Sequence, residues 1–189
     1  MSRIKPLKAG GTVISVNVGV PRSVEWEGET YLTGIFKNPI EGRIKVRNLG
    51  LDGDSQADLT VHGGPQKAVY VYPSEHYEYW RNELHRNLTW GAFGENLTTK
   101  GLLEQNVRLG DRLRTPSTEF TVTAPRFPCY KLGIKFGSME MVKRFQASRR
   151  SGFYLAVARE GDIAGGDSIS VVESDEEKPT IAEIFASER

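Results

Sequence analysis

The chain of 189 residues is 38% hydrophobic and 26% charged, with a formal net charge of +1. This is the composition of an ordinary soluble domain, and so small a net charge gives no general attraction to a nucleic-acid polymer or a membrane surface. Residues 1–8 are basic but are not followed by the apolar segment of a secretory signal, and no apolar run approaches the roughly 18 residues of a membrane span. The single cysteine, Cys129, cannot form an internal disulfide, which favours a reducing cytoplasm.

Alternating apolar positions and β-branched residues predict more strands than helices. The first strand is expected at 12–18, followed by a hairpin over 22–36 with its turn at Glu27-Gly28-Glu29, and Asn38-Pro39 is expected to end this unit. Further strands are predicted at 42–47, 67–72, 120–124, 153–159 and 168–172, and a glycine-rich loop at 88–99 enters another. Residues 107–113 alternate around Gly110-Asp111, which predicts a strand or a hairpin. Because a β-α-β rhythm is missing, these signals favour a mainly β fold with helical insertions, as a largely antiparallel barrel or curled sheet.

Three helices are predicted between and after the strands. Ser74 is placed to cap the first helix, whose apolar residues recur at helical spacing, and Ser138 is placed to cap the second, which runs to about Arg150. A charged linker at 174–178 precedes a short amphipathic helix at 179–189 that has no obvious partner. We therefore divide the chain into a barrel domain at 1–173 and a linker with a short C-terminal helix at 174–189.

Cys129 follows a predicted strand and lies among two prolines and two cations. Pro125 and Pro128 cannot donate ladder hydrogen bonds, so we expect strand pairing to end there and the cysteine to lie on a stiff segment outside the ladder. Arg126 and Lys131 would favour its thiolate. Because a lone cysteine is often an inert core residue, the residues alone leave two interpretations open: a buried structural thiol, or a reactive thiol in a pocket.

Other polar residues also allow two interpretations. The strand at 42–47 alternates cations with apolar residues, so Arg47 either lies on a solvated face or faces an anion. His62 precedes two glycines and is either a structural hydrogen-bonding residue or a residue that contacts a ligand. Glu95 and Asn96 lie in an apolar, glycine-rich stretch, which predicts either inward hydrogen bonding or turn capping.

Several separate motifs follow one another in a characteristic order over residues 12–172. They are Gly50-Leu51-Asp52-Gly53-Asp54, His62-Gly63-Gly64, Lys67-Ala68-Val69-Tyr70, Gly91-Ala92-Phe93-Gly94-Glu95-Asn96-Leu97, Val107-Arg108-Leu109-Gly110-Asp111 and Pro125-Arg126-Phe127-Pro128-Cys129-Tyr130-Lys131-Leu132. Together they resemble the MOSC family, named after the C-terminal domain of molybdenum cofactor sulfurase, and within it the YiiM-type bacterial proteins. The resemblance implies a MOSC-type β-barrel that binds the molybdenum cofactor (molybdopterin). It also implies an oxidoreductase that reduces N-hydroxylated compounds, notably the base analogue 6-hydroxylaminopurine, in a detoxification reaction.

The resemblance also implies roles for particular residues. Cys129 matches the family's motif cysteine and would be the catalytic residue and the protein ligand of molybdenum, since a soft thiolate suits this metal. Asn96 would hydrogen-bond the pterin, and His62 would line the same cavity. The cations that could meet the cofactor's phosphate are Arg126, Lys131, Arg47 and Lys67. We expect a pocket beside Cys129 lined by at least one of Arg126, Lys131 and Arg47.

Two other functions fit the same residues. Cys129 could carry a persulfide in a metal-free sulfur-transfer protein, or the domain could bind a cofactor or another anion without catalysing a reaction. The resemblance further implies a small-molecule substrate and an electron-donor protein as partner, with no role for a nucleic-acid polymer or a membrane. YiiM-type proteins have a three-helix domain after the barrel, and here only residues 180–187 could belong to such a domain.

Overall fold

The computed structural model of the chain describes residues 10–55 and 63–188, which form thirteen strands and four helices. None of these helices is both long enough and apolar enough to cross a membrane. The strands are β1 (Gly11–Val18), β2 (Arg22–Trp26), β3 (Glu29–Thr33), β4 (Asn38–Ile40), β5 (Ile44–Arg47), β6 (Gly50–Leu51), β7 (Val69–Pro73), β8 (Leu97–Lys100), β9 (Arg112–Arg114), β10 (Glu119–Pro125), β11 (Phe153–Arg159), β12 (Gly161–Ile163) and β13 (Ser168–Glu173). The helices are α1 (Glu75–Leu84), α2 (Tyr130–Phe136), α3 (Glu140–Ser148) and α4 (Ile181–Ser187), and a 3₁₀ turn covers Pro65–Lys67.

Seven strands close into a barrel. Their order is β13-β9-β10-β11-β7-β8-β1, and β1 pairs back onto β13. Every neighbouring pair in this ring is antiparallel except β7 with β8, which are parallel. The hairpin β2–β3 and the three-stranded sheet β12-β5-β6 lie outside the ring. The predicted fold class, mainly β with helical insertions, is therefore confirmed, and the choice between barrel and curled sheet is resolved in favour of the barrel.

Two apolar clusters form the core. The first contains side chains from all seven barrel strands, among them Val13, Leu97 and Phe153, as expected where alternate residues of each strand face one interior. The second is aromatic and joins α1 and α3 to the barrel: Trp80 of α1 stacks on Phe145 of α3 with ring centroids 5.9 Å apart. Burying each large side chain of this kind contributes about 1.5–3 kcal/mol, so the helices are held by packing rather than by helix propensity.

The structure corrects several local predictions. Ser74 adopts a helical backbone conformation and makes no capping hydrogen bond, so it is not the expected side-chain cap of α1. Asn38-Pro39, expected to end the hairpin, does lie beyond its last paired residue, Thr33. Together with Ile40 it forms a strand that was not predicted, β4, and because β4 pairs with β1 alone among the described residues, the missing N–H of proline costs no ladder bond. Helix α2, with seven residues, and the short strand β12 were not predicted.

Helix α4 packs on the barrel. Thr180 and Glu183 form a capping box at its start, in which each side chain accepts the backbone N–H of the other residue. Ile181 and Phe185 are buried, and the ring of Phe185 stacks on Phe127 with centroids 5.0 Å apart. The amphipathic helix predicted at 179–189 is therefore present, and it packs against the segment that carries Cys129.

Candidate functional site

The Cys129 segment leaves the sheet at the end of β10. Pro125 makes the last pair with β11, opposite Phe153, so strand pairing ends where the prolines predict. Cys129 follows with an extended backbone and occupies the position before α2, where its carbonyl accepts the N–H of Leu132 at 2.9 Å. The cysteine is partly exposed. This exposure contradicts the interpretation of Cys129 as a buried structural thiol.

A pocket opens beside Cys129, as expected. It contains about 670 Å³ of empty space, part of it open to solvent. Its lining includes Tyr70, Asn96, Phe127 and Tyr154. Four cations also line it, namely Lys37, Lys67, Arg126 and Lys131, while no aspartate or glutamate does so within the part of the chain that the structure describes. The pocket therefore has the charge expected of a site for an anionic small molecule.

The guanidinium of Arg126 is held by hydrogen bonds and by two aromatic rings. The residue is 6% exposed, and its Nη1 donates to the carbonyl of Phe93 at 2.8 Å and to the hydroxyl of Tyr70 at 3.3 Å. Its guanidinium also lies over the rings of Tyr70 and Phe145, with 4.7 and 5.4 Å between its Cζ and the ring centroids. Because none of these partners is an acid, the positive charge of Arg126 remains uncompensated and acts on the pocket.

Two lysines also line this pocket, Lys131 and Lys67. Lys131 is 9% exposed, and its ammonium has no hydrogen-bond or ion-pair partner within residues 10–55 and 63–188. The ammonium of Lys67 lies 5.8 Å from the centroid of the Tyr154 ring. A largely enclosed cation that faces a pocket without a protein counter-ion is stabilised when an anion binds there.

Asn96 belongs to the wall of the pocket and joins several segments. Its Oδ1 accepts the backbone N–H of Tyr70 at 3.0 Å, and its Nδ2 donates to Asp54 at 2.8 Å. Asp54 in turn accepts the N–H of Gly19 at 2.9 Å and pairs with the buried ammonium of Lys37. Both functional atoms of the Asn96 amide thus have partners in the protein, and the expected hydrogen bond to a pterin stays a prediction.

Glu95 organises the loop before β8. Its carboxylate accepts the backbone N–H groups of Gly91 and Phe93 at 2.9 and 3.1 Å and the hydroxyl of Thr98 at 2.9 Å. It also accepts the hydroxyl of Tyr77. The residue has no exposed surface. Inward hydrogen bonding and loop capping, offered as alternatives from the sequence, are therefore both present, and they hold the loop that precedes Asn96.

Lys135 is a further cation that the sequence did not single out. Its ammonium donates to the carbonyls of Ile35 at 2.9 Å and Gly91 at 2.7 Å. Burial lowers the pKa of Lys135 to about 7; the carboxylate of Glu95 opposes this change, and the positive charges of Arg126 and other cations nearby add to it. Burial also lowers the pKa of Lys37, against the attraction of Asp54.

The structure brings together five of the seven residues predicted for the site. They are Cys129, Asn96, Arg126, Lys131 and Lys67. Arg47 does not line the pocket: it is exposed and pairs with Asp52 at 3.2 Å, so the solvated-face interpretation holds for it. His62 lies outside the described residues. Lys37 was missed, because nothing in its local sequence distinguishes it from a surface lysine.

A seven-stranded barrel whose pocket holds a thiol and four cations has the chemistry of an anion-binding domain. The family model of the MOSC domain matches residues 58–170, more than half of the chain, and the chain belongs to the MOSC domain family. Among the described residues, no group of three or more His, Cys, Asp or Glu side chains could hold a metal ion.

Three proteins illustrate the relationship. The uncharacterized protein YflK of Bacillus subtilis is 44% identical over 161 residues, covering 85% of this chain and 73% of YflK. Protein YiiM of Escherichia coli is 37% identical over 143 residues, covering 74% of this chain and 64% of YiiM. A protein of Gibberella moniliformis named a reductase is 32% identical over 172 residues, covering 89% of this chain but only 30% of that protein. The chain thus spans less than two thirds of the second and third relatives.

A solved structure agrees with these relationships. YiiM from Geobacillus stearothermophilus superposes on the chain with a TM-score of 0.77 at 34% identity, covering 93% of this chain and 82% of that one. The similarity therefore extends over the barrel and the helices together.

Proposed function

We propose that this protein is a molybdenum-cofactor-dependent oxidoreductase that reduces N-hydroxylated compounds such as 6-hydroxylaminopurine. The observation that carries the proposal is a partly exposed Cys129 in a pocket lined by four cations and by no described carboxylate. Membership of the MOSC domain family supports the cofactor, and the relative named a reductase supports the type of reaction.

The residues of the pocket fit a cofactor that combines a soft metal with a phosphate. Cys129 offers a thiolate, which is a suitable ligand for such a metal. Lys131 has no partner within the described residues, and its ammonium is free to meet a phosphate oxygen. Arg126 cannot swing towards solvent because Phe93 and Tyr70 hold its guanidinium, so it provides a fixed positive charge. The aromatic side chains Phe127 and Tyr154 provide apolar wall for the planar part of the cofactor.

The overall reaction converts R–NH–OH, two protons and two electrons into R–NH₂ and water. When bound, the molybdenum cofactor supplies a two-electron redox centre for this conversion. Cys129 would hold the metal through its thiolate, and the cations around it would bind and orient the anionic end of the cofactor. The electrons come from a donor protein, which we include in the proposal as a partner of this chain.

The proposal is tested with protein made in a host that synthesises the cofactor. We expect close to stoichiometric molybdenum by elemental analysis, and reduction of 6-hydroxylaminopurine with a chemical electron donor. Cys129→Ser should lose molybdenum and activity by more than the roughly 10–100-fold that follows the loss of an outer-shell residue. Ser23→Ala, on the exposed β2–β3 hairpin, should retain both.

The outcomes separate the competing functions. Well-folded protein without molybdenum, or Cys129→Ser with undiminished reduction, would contradict the proposal. A persulfide on Cys129 seen by mass spectrometry in molybdenum-free protein would instead support a sulfur-transfer protein. Binding of the cofactor without any turnover of substrate would support the third function, a non-catalytic binding domain.

A further inference from the structure

A second cavity lies next to the Cys129 pocket and shares Lys37 with it. It contains about 820 Å³ of empty space, part of it open to solvent. Four cations line this cavity, namely Arg22, Lys37, Arg86 and Lys135, and no aspartate or glutamate does so among the described residues. We call it the Arg22/Arg86 cavity. Its chemistry is not explained by the function of Cys129.

The two arginines of this cavity are stacked on rings rather than paired with acids. The Cζ of Arg22 lies 3.6 Å from the centroid of the Phe36 ring, and that of Arg86 lies 4.8 Å from the centroid of the Phe136 ring. Neither guanidinium has a hydrogen-bond or ion-pair partner in the part of the chain that the structure covers. Stacking fixes the plane of each guanidinium and leaves its N–H donors available to a ligand.

An arginine elsewhere on the same protein shows the contrast. Arg43 is also exposed, but its guanidinium bridges Asp162 and Asp167, with 2.8 Å to each. Its donors are therefore used within the protein. Unlike Arg43, Arg22 and Arg86 are not paired with a carboxylate among the described residues.

The inner wall of the cavity carries an excess of positive charge. Lys37 pairs with the buried Asp54, while Lys135 donates only to backbone carbonyls, which carry no net charge. Burial is the main cause of the lowered pKa of Lys135; the carboxylate of Glu95 opposes this change, and Arg126, Lys37 and Arg22 add to it. An anion in the cavity would provide the missing negative charge.

We propose that the Arg22/Arg86 cavity is a binding site for the phosphate group of a small molecule. A phosphate offers three oxygens, which suit two arginine forks and the lysine ammonium groups better than a single carboxylate does. A walled cavity also favours a small molecule over a polymer. The phosphate comes either from the cofactor, reaching past Lys37 from the Cys129 pocket, or from a separate phosphorylated ligand. The site itself does not depend on the redox function proposed above.

The test is a calorimetric titration of the full-length, cofactor-free protein with inorganic pyrophosphate. Arg22→Gln/Arg86→Gln should weaken binding about ten- to hundredfold, because it removes charge-assisted hydrogen bonds. A matched double variant, Arg159→Gln/Lys143→Gln, removes two exposed cations outside both cavities and should change the affinity less than about twofold. Lys131→Gln removes a cation only from the Cys129 pocket, so this variant reports pyrophosphate binding in that pocket rather than in the Arg22/Arg86 cavity.

Each outcome has a defined meaning. Failure of the natural protein to bind pyrophosphate, or equal binding by the Arg22→Gln/Arg86→Gln variant, would overturn the proposal. Loss of binding in Lys131→Gln alone would assign the anion to the Cys129 pocket and would also overturn it. The same titration of cofactor-loaded protein then distinguishes the two sources. If loading blocks pyrophosphate, the cofactor's phosphate occupies the site; if binding persists, the site serves a separate phosphorylated ligand.

Discussion

Replacing Lys135 by methionine should change how the stability of the protein depends on pH. The pKa of Lys135 falls from the 10.5 of a free lysine to about 7 in the folded chain, first because of burial. At a pH between these two values, Lys135 is protonated in the unfolded chain and deprotonated in the folded chain. Stability rises with pH wherever the unfolded state binds more protons, so the contribution of Lys135 to the free energy of unfolding increases from pH 7 upward.

The magnitude follows from the same shift. Each pH unit in this window changes the free energy of unfolding by at most about 1.4 kcal/mol. Integrated from pH 6 to pH 9, the unfavourable contribution of Lys135 falls by about 2–3 kcal/mol. The amine keeps two hydrogens after losing its proton, so it can still donate to Ile35 and Gly91.

The assay is urea unfolding, followed by tryptophan fluorescence, of the natural protein and Lys135→Met at pH 6 and pH 9. The free energy of unfolding of the natural protein, minus that of the variant, should be about 2–3 kcal/mol higher at pH 9 than at pH 6. Lys143→Met, at a lysine whose side chain is 80% exposed, serves as the control and should give parallel profiles. Parallel profiles for Lys135→Met, or a difference that falls with pH, would refute the reasoning.

Two further predictions concern packing around the site, and both are measured by the same unfolding experiment. Phe185→Ala should lower the free energy of unfolding by about 3–5 kcal/mol, because it leaves a cavity where Phe185 stacks on Phe127. Its control, Ser187→Ala on the exposed face of α4, should lower it by about 0.5 kcal/mol or less. Glu95→Gln should lower the free energy of unfolding by about 2–3 kcal/mol, because the amide NH₂ group then faces N–H and O–H donors that it cannot accept. Its control, Glu160→Gln at an exposed position, should lower it by about 0.5 kcal/mol or less. A loss as small as the control's would contradict either argument.

The strands could be predicted because alternation in a sequence sets which side of a strand is buried. β1 and β10 are rich in β-branched residues, and their predicted ranges agree with the structure to within one residue at each end. Helix α2 could not be predicted, since seven residues with an internal glycine, Gly133, form a helix only when neighbouring elements support them. β4 was missed for a related reason: Pro39 is tolerated only because its strand lies at an edge.

Within the site, the sequence identified the residues that lie close together along the chain. Cys129, Arg126 and Lys131 belong to one proline-bounded segment, and the end of pairing at Pro125 follows from the chemistry of proline. Arg47 lies in a stretch that alternates cations with apolar residues, a pattern that also fits a ligand-binding cation. In the structure, however, its side chain lies in solvent beside Asp52. Charge alternation along a strand cannot separate these two cases.

The sequence alone determined the class of fold, the family resemblance and the stiff segment that carries Cys129, because those depend on local geometry and on motif order. Only the tertiary structure decided which cations surround the pocket and where α4 packs. Lys135 donates to Ile35, 100 residues away along the chain, and Phe185 stacks on Phe127. Burial and the proximity of charges arise when distant segments meet, and they set the pKa of a lysine that reads locally like any other.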